Sequence, residues 1–207
     1  MVIKQVNPLY QQASHYLSEL DADWALLVQR IGPCQLEIQT TRAPYEALIR
    51  AIAYQQLHGR AAEAILNRFL AIYPEHSFPL PEEILATESE LLRQCGFSAR
   101  KLETIKRLAE ASLIGHVPTL EKAKLMSTED LIKELTLLPG IGPWTVEMLL
   151  IFTLGRMDIL PAHDFGVREG YKKMKDLPQQ PTPKELAKIG ATWSPYRSIA
   201  AWYLWRA

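Results

Sequence analysis

The sequence predicts an all-α protein, and three observations carry that prediction. Apolar residues recur at the 3.6-residue period of a helix along most of the chain. The two-residue alternation of a half-buried strand is nearly absent, with Leu36 to Gln39 as its one short candidate. Proline and glycine fall between the periodic stretches and not within them.

Each element follows in order. Pro44 opens the first clear helix, since its fixed φ suits a first turn and its missing N–H is one that a helix start leaves unpaired. Ala62, Ile65, Leu66, Phe69, Leu70 and Tyr73 share one helical face, which Pro74 closes, and Pro81 starts another helix. Leu102, Ile105 and Ala109 form a further stripe. Ser127 and Asp130 are spaced as a capping box at the head of a stripe of Leu131, Leu135 and Leu138, which stops near Leu138. Trp144, Met148, Ile151 and Phe152 fall on one face of the next helix. The segment Leu177 to Pro183, LPQQPTP, holds three prolines in seven residues and reads as a loop. The reading comes to about ten short helices and essentially no sheet.

Bulk composition narrows the function classes. At 207 residues the chain suits one large or two small domains, and 48% hydrophobic with 22% charged residues excludes disorder and fibrous folds. No apolar run approaches a membrane span, and the opening MVIKQVNPLY lacks the apolar stretch of a signal peptide, so a cytoplasmic protein with no membrane partner is expected. Cys34 and Cys95 are too few for a metal cage, and His15, His58, His76, His116 and His163 show no ligand spacing, so no cofactor is expected. With 23 basic and 23 acidic residues the net charge is zero. From Arg156 onward nine basic residues face five acidic ones, a mild surplus that reads first as a solvated helical surface. Any binding of a polyanion therefore needs a local device.

Leu137 to Val146, LLPGIGPWTV, offers one. Gly140 and Gly142 flank Ile141 in a short turn, and Pro143 suits the first position of the helix after it. The amides of such a turn and helix start point outward, where a DNA phosphate could sit, while Ile141 plugs the turn into its own protein. A bare GxG between helices is also an ordinary tight turn.

The full string LPGIGPWT resembles the hairpin of the helix-hairpin-helix DNA glycosylase superfamily. Twenty-two residues beyond Gly142 stands Asp164, in LPAHDFGVREGY, at about the distance where that family carries its catalytic aspartate. AIAYQQLHGRAA, from Ala51 to Ala62, resembles the early helix pair whose turn enters the DNA at the lesion. GFSARK, from Gly96 to Lys101, resembles a backbone-contacting turn, and WSPYRSIAAWYLW, from Trp193 to Trp205, resembles the terminal helix of the alkylated-base branch.

The resemblance implies two helical lobes around a cleft. The central one would span residues 45–156 and end in the helix-hairpin-helix; the second would combine 1–44 with 157–207. It also implies site roles. Asp164 is the catalytic candidate; Trp144, Trp205, Tyr54 and Gln55 are pocket candidates, with Gln55 equally able to contact the opposite strand. Leu57, with Gln56 before it, is the wedge candidate, although a helix-terminal core residue is the other reading of Leu57. Gly140, Ile141, Gly142, Thr145, Gly96, Ser98 and Arg168 are candidates for the DNA backbone, with pairing to Asp164 the other reading of Arg168. The 138–142 carbonyls could hold a monovalent cation.

Bifunctional members carry a lysine where this chain has Trp144, so Schiff-base chemistry and strand cleavage are not expected. The four-cysteine cluster of other members is missing as well. Both departures imply a monofunctional glycosylase acting on alkylated purines in double-stranded DNA, and nothing in the sequence requires more than a monomer. A non-catalytic helix-hairpin-helix binding module and a glycosylase for another damaged base are the alternatives. Chemically, departure of a base builds positive charge on the deoxyribose, and one ionised carboxylate can oppose it when the leaving base is already cationic. His163 reads as a neighbour of Asp164 and not as a second catalyst.

Overall fold

The structure is a computed structural model that describes residues 7–57 and 59–207. The described residues form thirteen α-helices and one 3-10 turn, with no strand among them. Of the three six-residue helices, Pro81–Ala86 starts at the proline that predicts it, whereas Ser89–Gln94 and Leu120–Leu125 are too short for a period to register. The strand candidate is single extended chain: Gln39 donates its N–H to the Phe152 carbonyl at 2.8 Å. No helix among the described residues is long and apolar enough to cross a membrane.

The chain divides into two compact units, Gln39–Leu154 and the remainder on either side of it, so the first boundary lies ahead of Pro44. The Gln39–Leu154 unit holds α3 (Pro44–Tyr54), α4 (Gly59–Leu70), α5 (Pro81–Ala86), α6 (Ser89–Gln94), α7 (Ala99–Leu113), α8 (Leu120–Leu125), α9 (Thr128–Leu135) and α10 (Pro143–Phe152). Here α3 is the central helix, packed on α4, α7 and α10. Its Leu48, Ile49, Ile52 and Ala53 are fully buried, and each large one contributes about 2 kcal/mol relative to exposure. Phe69 of α4 is the hub of a ring cluster, meeting Tyr73, Phe78 and Phe97 edge-on at 5.5 to 6.1 Å. Ser127 caps α9 as its spacing predicts, accepting from Asp130 N–H at 3.0 Å and donating to that carboxylate at 2.7 Å.

The predicted face of α10 needs correction. Val146, Leu149, Leu150 and Ile151 are its fully buried apolar residues, and Trp144, Met148 and Phe152 are only half-buried. The helix is apolar nearly all round, so period alone could not select a face.

The other unit holds α1 (Pro8–Ser18), α2 (Ala22–Ile31), α11 (Phe165–Met174), α12 (Pro183–Ile189), the 3-10 turn Gly190–Trp193 and α13 (Arg197–Leu204). The proline-rich segment is loop up to Thr182, which caps α12 with Pro183 as the first helical residue. Helix α13 is buried from Ser198 to Leu204 and packs on α1, α2 and α11. Its polar groups are matched: the Tyr203 hydroxyl meets Ser14 Oγ at 2.7 Å and donates to the Gly32 carbonyl at 3.0 Å. Trp24 and Trp193 cross edge-on at 5.3 Å. Arg197, at the head of α13, grips Asp158 with two bonds of 2.6 and 2.9 Å. Burial would raise the Asp158 carboxyl, but these bonds and one from Ser194 outweigh it and hold its pKa below the usual range. That clamp fixes the loop leading to residue 164. The cysteines are buried and free, and burial pushes the Cys34 thiol up to about 11, which makes it inert.

Candidate functional site

The Gln39–Leu154 unit carries the hairpin. Between α9 and α10 the chain turns at Gly140, whose φ of +87° lies in the left-handed region. A Cβ there would also overlap the Thr104 hydroxyl on α7 and lie 2.7 Å from its methyl, so two independent constraints demand glycine. Gly142 is different. Its φ is −98°, and a Cβ would meet nothing within 4 Å, so the fold does not require glycine there. Its effect is to leave the space before α10 clear. Ile141 is buried, as expected of a plug, and donates its N–H to the Leu138 carbonyl at 3.0 Å. The Gly140 and Gly142 amides have no acceptor among the described residues. Thr145, the third residue of α10, is buried.

Leu138 O accepts the Ile141 N–H, and Gly140 O takes only a long contact of 3.4 Å from Gln55, so each keeps a lone pair. Among the described residues no group of three His, Cys, Asp or Glu is arranged to hold a metal.

The turn after α3 stands beside the hairpin within this unit. Gln56 adopts a φ of +56°, rare for a residue with a side chain, and Tyr54, Gln56 and Leu57 are all exposed. Leu57, at 40% exposure, is therefore not a core residue. Gln55 does not project freely towards a base: its amide donates to Thr145 Oγ1 at 2.9 Å and tethers the turn to the hairpin. His58 lies outside the described residues.

On the other side, Lys101 of α7 donates to the carbonyls of Ala53 and Gln55 at 2.9 and 2.8 Å, where the ending helix leaves them unpaired. Burial pushes its ammonium below the ordinary lysine range. Lys101 belongs to the GFSARK turn, in which Gly96 has a φ of +104° and Ser98 caps α7. Sequence reading missed Lys101 and Thr104.

The second unit carries Asp164. It is the N-cap of α11, and its Oδ1 accepts the Val167 N–H at 2.7 Å. The same oxygen accepts the indole N–H of Trp205 at 2.8 Å. Trp205 thus grips the carboxylate directly, a role that a pocket assignment did not anticipate. Two glycines of α11 make the approach possible. A Cβ on Gly166 would come within 2.9 Å of the Trp205 ring and 3.1 Å of Asp164 Oδ1, and one on Gly170 would overlap the Leu204 carbonyl. Their four-residue spacing places both on one helix face, and that GxxxG pattern was the signal available in the sequence. Phe165 and His163 flank Asp164 and are exposed, while Arg168 Nε is buried without an acceptor among the described residues. Trp193, Trp202 and Tyr203 are core.

A profile described as the HhH-GPD superfamily of base excision DNA repair proteins matches residues 49–195. DNA-3-methyladenine glycosylase 1 of Schizosaccharomyces pombe is 47% identical over 94% of this chain and 86% of its own length. The structure of the Schizosaccharomyces pombe 3-methyladenine DNA glycosylase in complex with abasic DNA superposes with a TM-score of 0.90, over 94% of this chain and 95% of that one. The alkylbase DNA glycosidase-like protein mag2 of the same yeast is 40% identical over 95% of this chain and 93% of its own.

Proposed function

This chain belongs to the HhH-GPD superfamily of base excision DNA repair proteins, and on that footing we propose that it is a monofunctional DNA glycosylase. Its substrates are alkylated purines of the 3-methyladenine and 7-methylguanine kind in double-stranded DNA, and its product is an abasic site. The relatives named for 3-methyladenine support the substrate class, and one of them is seen on abasic DNA. It works as a monomer, in the cytoplasm at the nucleoid.

The single observation that carries the reading is the constrained carboxylate of Asp164. A module that only binds DNA has no use for a carboxylate where phosphates approach, and still less for one locked by two donors. As the base departs, positive charge spreads over the sugar, and Asp164 opposes it and holds the attacking water. With Val167 N–H and Trp205 N–H both on Oδ1, the carboxylate does not need to reorient as that charge develops. A cationic adduct leaves as a neutral base, so no acid is required.

The other residues bind and orient. Trp144, half-buried at the start of α10, presents a ring face to the cationic base, with Tyr54 a second aromatic at the turn. Leu57 and Gln56 fill the gap that flipping leaves, a process that costs a few kcal/mol of stacking and pairing. The Gly140 and Gly142 amides at the head of α10 receive one phosphate, the Gly96–Ser98 turn another, and Arg168 a third. A cation on the hairpin carbonyls would strengthen that phosphate contact and takes no part in bond cleavage.

Methylated duplex DNA incubated with the protein should release free 3-methyladenine and 7-methylguanine, and borohydride should trap no covalent adduct. Failure of a folded, DNA-binding protein to release either base would move the assignment to another damaged base or to a binding module. A trapped adduct would overturn the monofunctional assignment.

A conservative change separates Trp205 as a positioning residue from a stacking one. Trp205→Phe keeps an aromatic ring and removes the N–H. A hydrogen bond to a charged group is worth about 1.5–3 kcal/mol, so excision should slow by roughly tenfold or more with DNA affinity unchanged. Single-turnover rates and binding isotherms on the same duplex check this; equal rates would mean that the bond is catalytically idle.

A further inference from the structure

We propose that Lys101 and Gln55 form a brace that transmits backbone binding to the wedge turn, so that Leu57 enters the helix only when both DNA-contacting turns are seated. This rests on the glycosylase reading above and adds to it a positioning role for two residues that do not touch the reacting atoms.

Three observations within one unit carry it. The turn at Gln56 is strained, with φ at +56° on a residue that has a side chain, and such a conformation persists only where its surroundings hold it. It is held at both ends. The Lys101 ammonium spans the Ala53 and Gln55 carbonyls from the GFSARK side, and the Gln55 amide reaches Thr145 Oγ1 on the hairpin side. The brace is also electrically unusual, because no carboxylate among the described residues lies within ion-pair distance of Lys101. A half-buried ammonium without a counter-ion is spent on two main-chain oxygens, and the helix end it faces is the negative end of the α3 dipole.

An apolar side chain can displace a base pair only if its own backbone does not recoil. Leu57 is exposed on the four-residue connection between α3 and α4, and among the described residues its N–H meets the Tyr54 carbonyl at a long 3.2 Å. The rigidity must come from elsewhere, and α7 and the hairpin supply it. Both of those elements carry a turn assigned to the DNA backbone, so seating the two turns together loads the brace from both ends.

The test uses the full chain and a duplex with 2-aminopurine beside a tetrahydrofuran abasic analogue, together with a duplex carrying 7-methylguanine. Lys101→Met should reduce the fluorescence rise that reports unstacking and slow single-turnover excision at saturating protein by about tenfold, while the Kd for undamaged duplex changes by less than about threefold. Lys101→Arg, which keeps a cationic donor for both carbonyls, should restore both readouts. Gln55→Leu, which cuts the other end, should reproduce the Lys101→Met pattern and supplies the result if Lys101→Met does not fold. Normal fluorescence and excision in both variants would overturn the brace. So would losses that track weaker binding to undamaged duplex one for one, which would make Lys101 a phosphate contact. If the wild type excises no 7-methylguanine yet shows the fluorescence rise, the substrate reading fails and the brace stands.

Discussion

Asp164→Asn should leave a folded protein that binds damaged duplex normally and excises at least about a thousandfold more slowly, the scale expected when a preorganised charge is removed from a transition state. The substitution is close to isosteric. An asparagine Oδ1 can still accept the Val167 and Trp205 N–H groups, and asparagine is as good a helix N-cap as aspartate, so α11 has no reason to unravel. What disappears is the negative charge. Base release from methylated duplex, measured beside thermal melting and an affinity titration, decides the matter. An Asn variant of near wild-type rate would mean that the charge opposing the sugar comes from another group.

Gly140→Val should be the most damaging single change in the hairpin. A β-branched residue at φ +87° pays about 1–2 kcal/mol for the left-handed backbone, and its Cβ must displace Thr104 on α7, an overpacking of about 1–3 kcal/mol. A loss of roughly 2–5 kcal/mol is therefore expected by denaturant titration. DNA affinity should fall at least about tenfold wherever the variant still folds. Gly142→Ala is its control. With φ at −98° and open space around the position, it should melt like the wild type and still bind DNA more weakly. If Gly142→Ala binds normally, the clear space before α10 is not where a phosphate sits.

Much of this was legible in the residue pattern, and the reasons for the exceptions are physical. Helices with one apolar face, such as α4 and α7, declare themselves because period and burial coincide. Helix α10 does not, since residues apolar all round leave no phase to read. The six-residue helices α6 and α8 are shorter than the period needs, while α5, equally short, is announced by Pro81. The hairpin could be found from its glycines, but the difference between them could not. Only the position of Thr104 shows that Gly140 serves the fold, and only empty space shows that Gly142 does not. The sequence offers Trp205 as one aromatic among several; its grip on Asp164 depends on how α13 meets α11 across Gly166 and Gly170. Lys101 was hidden for a simpler reason. Its partners are main-chain carbonyls, which have no letter in the sequence.

The neutral hairpin also bears on how such a protein would travel along a genome. Ions condensed on DNA are released when lysines and arginines neutralise phosphates, and that release makes binding steeply sensitive to salt. Peptide N–H groups carry no net charge, so of the three phosphate contacts proposed above only that of Arg168 would release a condensed ion. The protein's hold on undamaged DNA should therefore weaken only gently as ionic strength rises. Long-range attraction would be correspondingly faint, favouring many brief encounters over extended sliding, with each site abandoned quickly unless a base yields.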